Sequence, residues 1–165
     1  MTENDTDDLF NKACEEWDAG NTKQAFKLFS MAAGRGDSSS LNNLGYFYDH
    51  GIGISKNTNK AFQLYKKAAR SGSVAAYNNI GIIYKDKNNF ERARFWFLKA
   101  LNVGDGEAAL DLAKLYLKRN TKGDMASAER YLRLAIDSKC ISEESVEEAE
   151  VLLEKFNAGK CEEGK

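Results

Sequence analysis

The residues able to do chemistry are few and scattered. The 165-residue chain has one histidine, His50, beside the glycine-containing stretch Gly51-Ile52-Gly53. A general base needs a convergent nucleophile or acid partner, and none sits at a recognisable spacing, so no catalytic residue is assigned. One histidine with three dispersed cysteines gives no zinc-ligand spacing, so no metal site and no cofactor are expected. Gly51-Ile52-Gly53 lacks the lysine of a phosphate-binding loop. Its isoleucines are expected to pack the loop onto its neighbours. Three cysteines cannot all pair within one chain. About 16 helical residues would hold Cys140 and Cys161 some 24 Å apart, too far for a disulfide. Cys14 falls where a small core residue is needed.

What remains is polar recognition. Asn42-Asn43 and Asn78-Asn79 sit inside helical patterns, and asparagine is a mediocre helix former. Its side chain both donates and accepts, so it can grip a peptide backbone without demanding a charge.

The elements that position these groups repeat. Ala25, Ala61, Ala93 and Ala128 lie 36, 32 and 35 residues apart, a solenoid-like period. Each opens a phrase with small residues at offsets zero and seven and large ones at three and four, which is one helix face. Three phrases end at Gly36, Gly72 and Gly104, suited to a left-handed cap; the fourth has Lys139 there. A second phrase precedes each. Its copies run from Phe10, Leu41, Tyr77 and Ala109, with Cys14, Gly45, Gly81 and Ala113 as the small residue. Trp17, Tyr48, Tyr84 and Tyr116 close it in an expected core column.

Each repeat is therefore a helix–turn–helix hairpin that must stack to bury its apolar faces. The turns are expected to be short in repeats one and three. They are expected to be longer in repeat two (His50–Asn57) and repeat four (Arg119–Gly123). Ala149, Leu152, Leu153 and Phe156 repeat the first phrase in a lone acidic helix. Ser142 is its expected N-cap, with Ile141 and Val146 as a staple. The expected fold is all-α: a right-handed α-solenoid of about four helix–turn–helix repeats plus a C-terminal capping helix. Residues 1–6 are expected to be a disordered acidic N-terminus, 7–157 a single repeat domain, and 158–165 a disordered tail.

Leu44-Gly45, Tyr48, Gly51-Ile52-Gly53, Lys60-Ala61, Tyr65, Ala68-Ala69 and Gly72 resemble the signature of the Sel-one-like repeat, a relative of the tetratricopeptide repeat. Repeat three has the short loop of a tetratricopeptide repeat. The resemblance spans residues 9–157 and implies a protein-binding module. Some secreted members carry a cysteine pair in each repeat and have been linked to β-lactam binding; this chain lacks those pairs, so that activity is not carried over. In the related families first helices line the concave groove. This implies a partner-binding set of Asn42, Asn43, Tyr46, Asn78, Asn79, Ile82, Lys85, Asp111 and Lys114.

Charge is uneven. The net is −1, yet residues 1–8 carry −4 and residues 143–165 carry −5, leaving +8 on the body between them. No run approaches the ~18 apolar residues that cross a bilayer, and Met1–Asp5 is acidic and lacks the apolar stretch of a signal peptide. A cytoplasmic monomer that binds a protein or peptide is expected, acting as an adaptor or as a dedicated inhibitor such as a bacterial immunity protein against a toxin. The alternatives are RNA binding through the basic second-helix face, which lacks interleaved aromatic platforms, and a hydrolase site in the groove.

Overall fold

The computed structural model describes the backbone of residues 3–163 and the side chains of residues 5–158 except Lys122. Among these residues there are helices and turns only. The helices are α1 (Glu3–Asp18), α2 (Thr22–Gly34), α3 (Ser38–His50), α4 (Thr58–Arg70), α5 (Val74–Asp86), α6 (Phe90–Asn102), α7 (Glu107–Arg119), α8 (Lys122–Ile136) and α9 (Glu143–Glu163). They divide into two units, Met1–Ile80 and Gly81–Lys165.

The alanine period has a direct physical meaning. Ala25, Ala61, Ala93 and Ala128 have no exposed surface, nor do Ala32, Ala68, Ala100 and Ala135 seven residues on. The large residues at offset four, Phe29, Tyr65, Phe97 and Leu132, are buried with them.

In the first unit α1 packs on α2 and α3 on α4. Phe29 and Phe47 sit in the core with Ala13 and Leu44, and Phe10, Trp17 and Phe26 pack around them. Gly45 lies against the ring of Tyr65, closer than any Cβ could approach. Asp37 starts α3 by accepting from the Ser40 amide at 2.6 Å. Gly51, at φ 71°, ends it, a conformation that glycine adopts without penalty.

In the second unit Phe97, Leu112, Leu115, Leu132 and Ala149 share one core. Gly81 meets the ring of Phe97 as Gly45 meets Tyr65. The α5–α6 turn is short, as expected. The α7–α8 turn is short too, only Asn120 and Thr121, where a longer loop was expected. Asn120 takes a left-handed φ of 53°, which asparagine tolerates. Thr121 and Asp124 then form a capping box, starting the helix at once. The Ser142 hydroxyl accepts from the Ser145 amide at 3.3 Å, as an N-cap should. α9 lies on α7 and α8, with Ala149 fully buried and Ile141, Leu152 and Leu153 packed on the core.

Two side-chain details differ from the sequence reading. Trp17, Tyr48 and Tyr84 are only half-buried. In α3, α5 and α7 the preceding residues Phe47, Ile83 and Leu115 are in the core. A first helix touches two neighbours, so its buried arc is wide and the aromatic falls on its flank. There its hydroxyl meets a cation: Lys60 Nζ donates to the Tyr48 hydroxyl at 2.6 Å and Arg94 Nε to that of Tyr116, itself buried, at 2.9 Å. In α1 the fully buried small residue is Ala13, while Cys14 is partly exposed. α1 starts at Glu3 and α9 runs to Glu163. Met1, Thr2, Gly164 and Lys165 lie outside the described residues.

Candidate functional site

The expected binding residues fall on first helices, five in the first unit and four in the second. In the first unit Asn42, Asn43 and Tyr46 stand on α3, and Asn78 and Asn79 on α5. All four asparagines are half-buried. Asn79 Nδ2 donates to Asn42 Oδ1 at 2.9 Å, so the two repeats join their asparagine rows through one bond. The Asn78 Oδ1 is buried with no hydrogen-bond partner. Tyr46 is 38% exposed and stacks on His50 with centroids 4.0 Å apart. His50 Nδ1 lies 3.1 Å from the Tyr46 carbonyl oxygen, the contact of a helix-end residue rather than of a base.

Asn42, Asn43 and Tyr46 also line a cleft of about 340 Å³ with Cys14, Trp17, Asp18 and Phe29. The Trp17 ring is 5.9 Å from Tyr46 and 4.4 Å from Phe47. Burial pushes the Cys14 thiol pKa up, and the carboxylates of Asp18 and Asp37 add to it. Behind this face the Tyr65 hydroxyl is buried with no hydrogen-bond partner. Burial raises its pKa first, then the negative charge of Asp49 and the neighbouring Tyr46. Sequence reasoning assigned Cys14 and Trp17 to the core and passed over Asp18. The available signal was three acids, Glu15, Glu16 and Asp18, closing one helix.

In the second unit the four expected residues are engaged internally. Lys85 Nζ meets Asp111 Oδ1 at 3.0 Å and Lys114 Nζ meets Glu148 Oε2 at 2.6 Å. Ile82 packs on the core. A smaller cleft of about 170 Å³ is lined by Lys85, Asn88, Phe90, Leu115, Lys118 and Arg119. Its cations are also occupied: Lys118 donates to Asn88 Oδ1 at 2.9 Å. Arg119 grips Asp124 with two nitrogens while lying 3.6 Å from the Phe90 ring centre. Several outward basic residues are likewise partnered, Arg133 with Glu129 and Arg92 with Tyr84. Among the described residues no cluster of His, Cys, Asp or Glu is placed to hold a metal, and no helix is long and apolar enough to cross a membrane.

This geometry has relatives. A model of the Sel1 repeat matches residues 19–37, 38–73 and 106–140, and one of the tetratricopeptide repeat matches residues 74–103. No curated protein matches the chain. Among solved structures, a Sel1 repeat protein from Oxalobacter formigenes is 26% identical with a TM-score of 0.69; the match covers 81% of this chain and 58% of that one. A protective antigen present in uropathogenic Escherichia coli strains, displaying an SLR fold, is 27% identical with a TM-score of 0.63, over 68% of this chain and 25% of the other. A tetratricopeptide repeat protein from Parabacteroides merdae, 18% identical with a TM-score of 0.64, covers 93% and 60% and speaks for the fold alone. The chain thus spans less than two thirds of each of these three. The neighbours place it in the all-α solenoid class, whose Sel1 and tetratricopeptide repeats are generally protein–protein interaction modules.

Proposed function

The chain belongs to the Sel1 repeat family, and from that premise we propose that it is a non-catalytic module binding one protein partner, or a peptide segment of it, through the first-helix face of its first unit. The observation that carries this reading is the joined asparagine rows. Asn42 and Asn79 fix one another at 2.9 Å and stand on helices beside exposed Tyr46. Groups fixed on rigid helices bind with little ordering cost, and an exposed aromatic is the residue type that most often anchors an interface.

Such a module acts by occupying its partner's surface, as an adaptor or as a dedicated inhibitor of the kind an immunity protein is. A cytoplasmic setting suits its free thiols Cys14 and Cys140. The test begins with affinity purification to identify the partner. Its affinity is then measured for Asn43→Ala with Asn79→Ala, and separately for Tyr46→Ala. We expect unchanged helical content and affinity lower by about tenfold or more for each. Affinity that is untouched by both, but abolished by charge reversal at Glu147, Glu150 and Glu154, moves recognition to the acidic face of α9.

A further inference from the structure

The last turn of α1 is built against its own electrostatics. Helix carbonyls leave a negative partial charge at a C-terminus, which favours cations there. This turn holds Glu15, Glu16 and Asp18 and no basic residue. Glu16 is bonded by the Asn21 side-chain amide at 2.8 Å. Among the described residues no cation pairs with Glu15 or Asp18. Asp18 lines the 340 Å³ cleft, whose other walls are the rings of Trp17, Phe29 and Tyr46, the two asparagines and Cys14. The cleft therefore joins aromatic walls, neutral hydrogen-bonding amides and an unpaired carboxylate at the negative end of a helix. Asp49, three residues beyond Tyr46 on α3, is a second carboxylate without an ion pair among the described residues.

We propose that this cleft between α1 and α3 is the acceptor for a basic side chain, arginine or lysine, of the protein partner. A cation there meets three favourable fields at once. The accessible rings of Trp17 and Tyr46 attract it through their quadrupoles. Asp18 neutralises it, aided by the negative end of the α1 dipole. The oxygen of Asn43, and the second lone pair of Asn42 Oδ1 beside its bond from Asn79, accept N–H groups that the carboxylate does not reach. An acidic side chain would be repelled at the same place. A neutral side chain would gain the rings and leave Asp18 unpaired. The inference rests on the reading that the first-helix face binds protein, and it adds the chemistry of one contact.

The probe is acetyl-Gly-Arg-Gly-amide, titrated at low salt into the full chain while the indole N–H of Trp17 is followed by NMR. Trp17→Phe assigns the signal, and the Trp96 indole is the internal control. Acetyl-Gly-citrulline-Gly-amide has nearly the same shape without the charge, and acetyl-Gly-Glu-Gly-amide has the opposite charge. We expect a saturable shift of Trp17 with the arginine peptide, binding about tenfold weaker with citrulline, and none with glutamate. Asp18→Asn should weaken the arginine peptide to the citrulline level, while its thermal midpoint stays level or rises because a like-charge conflict is relieved. A residue with only a structural role would lower that midpoint. Equal binding of arginine and citrulline, no shift of Trp17, or no effect of Asp18→Asn overturns the proposal. If the arginine peptide fails while partner affinity still depends on Asn43, Asn79 and Tyr46, the basic-residue site is wrong and the binding face stands. If the peptide succeeds and those variants are silent, the cleft stands without the asparagine rows.

Discussion

At the residue scale, Asp124 shows how one carboxylate couples a turn to pH. It is 2% exposed, and Arg119 binds it with two nitrogens. It also accepts the Thr121 amide at 3.0 Å and the Thr121 hydroxyl at 2.5 Å. The Arg119 hydrogen bonds hold its carboxyl pKa far below the usual range; burial opposes this, and Thr121 adds to the lowering. A folded-state pKa below the unfolded value, about 3.9, stabilises the fold fully above that pH, and the contribution is lost as pH falls from there through the folded-state pKa. Glu107 acts in the same direction, because hydrogen bonds from Ser145 and Ser142 outweigh the burial that would raise it. Asp124→Asn should therefore lower stability at neutral pH and flatten the acid limb. Urea unfolding at a series of pH values from 7 to about 2 measures both. An acid limb of undiminished slope in the variant would remove Asp124 from the account.

At the element scale, the hairpins close because two positions carry no side chain. Gly45 and Gly81 occur at the same place in α3 and α5 and meet the rings of Tyr65 and Phe97. A Cβ at either must push a ring that has no exposed surface. Gly45→Ala and Gly81→Ala should each cost ~1–3 kcal/mol by overpacking. Residues in direct contact do not act additively, so Tyr65→Leu should recover part of the Gly45→Ala loss. Chemical denaturation of the two single variants and the double variant tests this. Full additivity would show that ring and glycine do not share space. Gly106 is a harder case, since a Cβ there meets the backbone of Cys140 as well as the Ser138 hydroxyl, and backbone cannot rotate away.

At the scale of the whole molecule, the stack must end somewhere. A repeat buries its face only against a neighbour, so terminal repeats need a covering element. α9 does this in the second unit through Ala149, Leu152 and Leu153 and adds the Lys114–Glu148 pair at 2.6 Å. The pair itself is worth little at the surface, ~0–1 kcal/mol; the apolar cover is what counts. A chain ending at Lys139 should melt lower and self-associate through the uncovered face. Calorimetry with light scattering checks it, and an unchanged melt from a monomer would show that α9 is dispensable.

The repeat was legible because it is local and periodic. Alanines 32–36 residues apart, glycines after three second helices and a lone final helix can each be read without knowing what touches what. Gly36, Gly72 and Gly104 do take φ of 94°, 86° and 95°. The candidate site was legible only in part. Asn42, Asn43 and Tyr46 could be placed on a face by register. That Cys14 and Trp17 stand at the edge of the core and wall a cleft with Asp18 depends on which flank of α1 meets α3. That Lys85, Asp111 and Lys114 are already paired depends on reach between helices 26 and 34 residues apart in sequence. Periodicity says that a residue lies on a face. Whether that face is core, flank or open surface is decided by the neighbouring helix, whose distance no local pattern encodes.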